Sequence, residues 1–334
     1  MTNRERVIAT LNHRQPDKIP YNIGFTQKAH AKMANFYNDP EFVSKLGNCL
    51  ITLGCEPESA WKEIKPDIWR DQFGVEWDRT IDKDIGVVRN CLINDENIDE
   101  YEFPNPDDPS RYRNYKPLIS SNKDGFIVSN LGFSLFERAW TLTGMENLLI
   151  AMGTDPDFIH DLLERILQYN LKIIQNACSF DIDAMMFGDD WGHQYGLIMG
   201  AEMWREFIKP RIKEMYQLVK SKGKFVFIHS CGKVDEIFPD LIECGLDMFN
   251  PFQPEVMDVF EIKMRYGDRL CFYGGISTQQ TLPYGSIQQV KQEVRKLLEK
   301  VGKDGGYIAS PAHAIPSDAK VENIDAMIKT LQNQ

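Results

Sequence analysis

Two histidines, one cysteine and three carboxylates are the side chains whose types and spacing point to chemistry in this sequence. His229-Ser-Cys231 ends the apolar run that begins at Lys224. Strand side chains alternate between faces, so His229 and Cys231 share a face with Phe225 and Phe227. An imidazole nitrogen beside a thiolate sulfur is a good first pair for Zn²⁺, which favours tetrahedral N/S sites and keeps one position open when catalytic. His313, in Ser310-Pro-Ala-His313, lies just past the last apolar strand and is a candidate third ligand or an acid–base group. Asp189 and Asp190 close the run Ala184-Met-Met-Phe-Gly188, and Glu137 follows a third run that ends at Gly132. Each of these carboxyls is a candidate for completing a metal site or moving a proton. Two residues alone do not make a site, so the weight rests on where the elements place all six.

Those elements alternate. Apolar stretches at 125–132, 184–190, 224–229, 247–251, 270–274 and 306–310 read as strands, each followed by a helical pattern. Asp155-Pro156 opens a long helix as N-cap and first helical residue. Gly245 stops the helix that follows the His-x-Cys strand, and Pro210 is expected to kink or break another. Strands that are apolar throughout and alternate with helices imply a parallel sheet covered on both faces. Two further candidates at 19–25 and 68–73 bring the strand count to eight. The expected fold is α/β, a (β/α)8 TIM barrel with N-terminal insertions formed by residues 1–334 as one domain, the alternative being a doubly wound open sheet. In a barrel, residues at strand C-termini line the catalytic mouth. That filter returns Glu137, Asp189, Asp190, His229, Cys231, Asn250, Ser277 and His313. It adds His193 and Tyr273 as substrate contacts, with Phe133, Phe136, Trp140, Trp191 and Phe252 as an apolar wall.

Composition narrows the class. The 334 residues carry a net charge of −11, with 43% hydrophobic and 26% charged residues, a globular balance whose surface repels phosphate backbones. Nucleic acid is therefore not an expected partner. No apolar run approaches the length of a membrane span, and the N-terminus has no signal-peptide core. Seven dispersed cysteines without a CxxC pair fit reduced thiols and a cytoplasmic location. No phosphate-binding glycine motif or nucleophile elbow is present.

The motifs Met186-Phe-Gly-Asp-Asp190, His229-Ser-Cys231-Gly232, Tyr273-Gly-Gly-Ile-Ser277 and Gly306-Tyr-Ile-Ala-Ser-Pro-Ala-His313 resemble the uroporphyrinogen decarboxylase superfamily, a group of (β/α)8 barrels. Arg4-Glu-Arg-Val-Ile-Ala, the stretch Pro16-Asp-Lys-Ile-Pro20 and Val321-Glu-Asn-Ile324 extend the resemblance over nearly the whole chain. In that superfamily the decarboxylases carry an arginine-rich segment after the first strand that binds substrate carboxylates. Here the stretch is Tyr21-Asn-Ile-Gly-Phe-Thr-Gln-Lys28, without arginine. The other branch, the cobalamin-dependent methyltransferases, carries a zinc motif of His-x-Cys and a distant Cys. His229 and Cys231 match its first part, and His313 stands where the distant Cys is expected. The resemblance thus implies bound Zn²⁺, a small methyl donor and a corrinoid supplied by a partner protein. The runner-up is a carboxy-lyase acting on a tetrapyrrole, and a third reading is a corrinoid- or tetrapyrrole-binding protein without turnover.

Overall fold

A computed structural model describes residues 1–334. Seven parallel strands form one curled sheet in chain order: β1 (Leu50–Gly54), β2 (Phe126–Leu131), β3 (Ala184–Gly188), β4 (Phe225–His229), β5 (Met248–Phe252), β6 (Cys271–Ile276) and β7 (Tyr307–Pro311). An extended segment, 19–25, lies between the two ends of the sheet. Asn22 N–H donates to the Ala309 carbonyl (3.0 Å) and Ala309 N–H to that of Pro20 (2.9 Å), while Cys49 N–H donates to Tyr21 (3.0 Å). On the β1 side, side-chain amides replace part of the ladder: Ile23 N–H donates to Asn48 Oδ1 (2.9 Å) and Leu50 N–H to Asn22 Oδ1 (3.3 Å). The eighth strand position is thus filled and the TIM barrel closes.

The sequence assignment of 68–73 to the barrel is corrected. Ile68–Asp71 belongs to a four-stranded antiparallel sheet with Trp61–Lys65, Glu76–Asp78 and Val87–Val88, inserted between β1 and β2. This insert packs Trp77 inward and stacks Arg79 over Trp61 at 4.4 Å from the ring centroid. The barrel strand that reading missed is β1.

One side chain or more from each strand fills the barrel: Leu50, Phe126, Val128, Ala184, Phe227, Met248, Cys271 and Ile308 are buried together, with Met186, Phe225 and Tyr273 packed against them. Helix α1 (Asn3–Leu11), started by a Thr2–Glu5 capping box, inserts Val7 and Leu11 into the same cluster and closes the N-terminal end. A larger core joins the outer strand faces to the surrounding helices. The longest of these, Pro156–Ala177, is capped by Asp155 as expected and buries Ile159, Leu162, Leu163, Ile166, Ile173 and Ile174. The break expected at Pro210 takes the form of a π-turn, Trp204–Ile208, immediately before helix Lys209–Ser221.

Candidate metal centre at the barrel mouth

The inward-facing parity of Phe225 and Phe227 carries His229 to the C-terminal mouth, with Cys231 two residues beyond. The ligand atoms of His229, Cys231 and His313 all lie within 4.8 Å of one another. Cys231 Sγ is 3.4 Å from His229 Nε2. Zn–S and Zn–N bonds of ordinary length meeting at a tetrahedral angle place such a pair roughly 3.6 Å apart. The two imidazole rings, 5.5 Å apart, meet edge to face. An N/S/N donor set of this spacing fits zinc.

The orientation of His229 is built in. Its Nδ1 faces Asn250 Oδ1 at 2.5 Å, and Asn250 Nδ2 donates to the Tyr273 carbonyl at 2.9 Å. A backbone carbonyl only accepts, so the Asn250 amide is held with its oxygen toward the ring. Nδ1 therefore carries the hydrogen and Nε2 presents a lone pair to the cluster, the arrangement by which outer hydrogen bonds tune metal-binding histidines. Asn250→Ala should weaken zinc binding roughly 10–100-fold, and Asn250→Asp, whose second oxygen would face the Tyr273 carbonyl with no donor between them, should also weaken it. Competition titration with a chromogenic chelator measures both.

A tight turn holds the ligand loop. Gly232 has φ +86°, and a Cβ there would collide with the Gly192 backbone. Gly232 N–H donates to Gln253 Oε1 (2.8 Å), and Ser230 Oγ accepts from Trp191 N–H (3.0 Å). Burial, then the nearby Asp190 and Glu137 carboxyls, push the Cys231 thiol well above its ordinary pKa. A bound cation reverses that preference, since a metal ligates the thiolate. His313 keeps an exposed edge, yet the surrounding protein and then His229 hold its pKa below the usual value.

The two aspartates divide by parity. Ala184 and Met186 face the barrel, so Asp190 reaches the mouth: its Oδ1 accepts from Cys231 N–H at 2.8 Å and lies 3.9 Å from His229 Nε2. Asp189, expected among the catalytic groups, points the other way and is fully buried. It accepts the N–H groups of Leu135 (3.2 Å), Phe136 (3.1 Å) and Glu137 (2.8 Å), the start of helix Phe136–Thr143, and the Trp191 indole N–H (2.6 Å). Burial raises its pKa to about 6 against those four donors. Glu137 is raised well above the carboxyl range by burial, then by Asp190 and Asp189.

The expected apolar wall is mostly elsewhere. Phe136, Trp191 and Phe252 are fully buried behind the strands, Trp191 against Trp204 and Phe252 stacked on Phe272. Phe136 opens a helix, Trp191 sits at an outward-facing position, and the register shift in β5 after Phe249 turns Phe252 to the outer core, so each supports the mouth without lining it. Phe133 and Trp140 are half-buried, and Phe133, at φ +47°, packs on Trp77. His193 stands on an exposed two-stranded ribbon, its Nδ1 accepting from Tyr195 N–H at 3.2 Å. Tyr273 lies inside the barrel below Asn250, and its hydroxyl accepts from Asn22 Nδ2 at 2.9 Å. Asn22 was not among the expected site residues. Its signal, a polar residue at an inward position of the closing segment, needs the register to be read.

Known proteins share the fold and part of the sequence. A uroporphyrinogen decarboxylase of Chlorobium phaeovibrioides is 26% identical over 224 residues, 62% of this chain and 60% of that protein. The match thus spans about 60% of the length of such curated decarboxylases. The methylcobamide:CoM methyltransferase of Methanosarcina barkeri is 30% identical over 132 residues, 39% of this chain and 36% of that protein. Among solved structures, a methyltransferase from Methanosarcina mazei superposes with a TM-score of 0.73 at 17% identity, over 100% of this chain and 99% of the other, and shares the fold. The sequence profile of uroporphyrinogen decarboxylase (URO-D) matches residues 73–334. The chain belongs to the uroporphyrinogen decarboxylase family.

Proposed function

We propose that the chain is a corrinoid-dependent methyltransferase, which moves a methyl group from a small donor, such as a methoxylated aromatic compound, to a corrinoid carried by a partner protein. The observation that carries this reading is the His229–Cys231–His313 cluster at the barrel mouth. The methyltransferase relatives support it. His229, Cys231 and His313 would hold the metal, with Asp190 or Glu137 at hand to complete its sphere. Bound zinc supplies Lewis acidity toward the donor's leaving atom. Glu137, which burial and the neighbouring Asp190 and Asp189 push toward its protonated form, would hand a proton to the departing oxygen. Phe133 and Trp140 offer the half-buried apolar surface against which a donor is oriented. The test mixes the chain with a reduced corrinoid protein and a panel of methoxyarenes, methylamines and methanol, following the Co(I) to methyl-Co(III) spectral change. If no donor methylates the corrinoid and the purified chain lacks metal, the non-catalytic binding reading replaces this one.

The carboxy-lyase reading draws on the decarboxylase relatives. Against it stands the segment 21–28, which closes the barrel beside the mouth without a single arginine. A substrate with many carboxylates needs guanidinium partners to offset their desolvation. Incubation with uroporphyrinogen under anaerobic conditions should yield no coproporphyrinogen at enzyme-like rates. Product formed at such rates would restore the decarboxylase reading.

A further inference from the structure

Gln253 is the first residue past β5, and regular strand alternation would turn it away from the mouth. Met248 faces the barrel interior and Asn250 shares its parity, so Phe252 would follow them inward and Gln253 would point to the outer helices. The structure does the reverse. Phe249 lies opposite Phe272 of β6, whereas Phe252 lies opposite Gly274, so β5 advances three residues while β6 advances two. One extra residue in a strand exchanges its two faces from that point on. Phe252 accordingly stacks on Phe272 in the outer core, and Gln253, 6% exposed, reaches the turn that carries Cys231.

Three consecutive N–H groups of that turn are taken up by its neighbours. Ser230 N–H donates to the Asn250 carbonyl (2.7 Å), Cys231 N–H to Asp190 Oδ1 (2.8 Å) and Gly232 N–H to Gln253 Oε1 (2.8 Å). The turn is thus held from the end of β3 on one side and from the end of β5 on the other. Asp190 is partly exposed, whereas Gln253 is buried and its own carbonyl accepts from Val256 N–H (3.3 Å) and Met257 N–H (3.2 Å). A side chain so enclosed has few other places for its oxygen, and Gly232 N–H is fixed with it. The peptide that results is the one that sets Cys231 Sγ 3.4 Å from His229 Nε2.

The other ligand is oriented from the same strand end, since Asn250 Oδ1 faces His229 Nδ1. Residues 250 and 253 have opposite parity in a regular strand and could not both serve the mouth. The slipped register lets them. Bulges recur beside functional sites for this reason, because they re-aim a side chain.

We propose that Gln253 is a positioning residue for Cys231, as Asn250 is for His229, and that the slipped register of β5 gives one strand end hold of both ligands. The assignment rests on the metal reading of the His229–Cys231–His313 cluster. Gln253 sets the affinity for the metal by fixing the backbone next to the thiol.

Gln253→Leu, close in size and without an acceptor, tests the role. Zinc affinity is read by competition with a chromogenic chelator, and the geometry of the site by the thiolate-to-metal absorption of the Co(II)-substituted chain. Losing such a support should weaken zinc binding about 10–100-fold and displace or weaken the thiolate band. Far-UV circular dichroism checks the fold. Gln253→Met, unbranched like glutamine and at most a weak acceptor, carries the same expectation if the leucine variant does not fold. A merely structural contribution is separated in a Cys231→Ala background. With the thiol gone, Gln253→Leu should cost no further zinc affinity, because its effect runs through Cys231. Wild-type affinity and spectrum in a folded Gln253 variant, or an equal loss in the Cys231→Ala background, would overturn the role and leave the metal reading standing. A wild-type chain that binds no zinc would remove the metal reading and this role with it.

Discussion

Protein in which His229 and Cys231 are both replaced by alanine should purify almost free of zinc, where the wild type carries about one ion per chain. Structural zinc sites bind with roughly 10–16 kcal/mol over four ligands, so each ligand is worth about 3 kcal/mol. Losing two costs about 6 kcal/mol, or roughly a 10⁴-fold drop in affinity. The fold should survive, because both side chains stand at the mouth above Phe225 and Phe227 and outside the packed cluster. Elemental analysis paired with far-UV circular dichroism separates metal loss from unfolding. Zinc retained unchanged by a folded double variant would remove the metal assignment, and with it the main support for the proposed reaction.

Asp189→Ala should instead lower stability by about 4 kcal/mol, with four N–H donors left unsatisfied at roughly 1 kcal/mol or more each. Three of them start helix Phe136–Thr143, so the loss is felt where Glu137 and Arg138 are held. Globular domains have only about 5–15 kcal/mol in hand, so poor expression is part of the expected result. Asp190→Ala, one residue on, should change stability by less than about 1 kcal/mol, because that carboxylate is partly exposed and makes one backbone bond. Urea denaturation of the pair checks the contrast. Equal effects would mean that the two carboxylates do not divide between scaffold and site.

The barrel was largely legible in the sequence because six of its strands are apolar runs followed by helices with clear caps. Asp155-Pro156 and Gly245 mark helix ends where the structure places them. The first strands were harder. Ile68–Asp71 carries strand chemistry but lies in the antiparallel insert, while β1, Leu-Ile-Thr-Leu-Gly, is short and leaves Thr52 and Gly54 exposed. Nothing local distinguishes a strand of the insert from a strand of the barrel. Asp189 and Asp190 could not be separated for a related reason: Ala184-Met-Met-Phe is buried on both faces, so hydrophobicity carries no alternation to count. His229 and Cys231 were readable because His-x-Cys fixes its own parity whatever the register. Phe136 and Trp191 were misplaced because aromatic type indicates burial without saying on which side of a strand it occurs.

Helix α1 seals one end of the barrel with Val7 and Leu11, and that leaves a single doorway. Under the proposed reaction the small donor and the bulky partner must take turns at it. A corrinoid protein seated over the mouth would shut in whatever is already inside and shut out whatever is not. Productive encounters then require the donor to enter first and the demethylated product to wait until the partner has gone. Raising the partner's concentration should therefore speed turnover only up to a point, beyond which premature docking slows it.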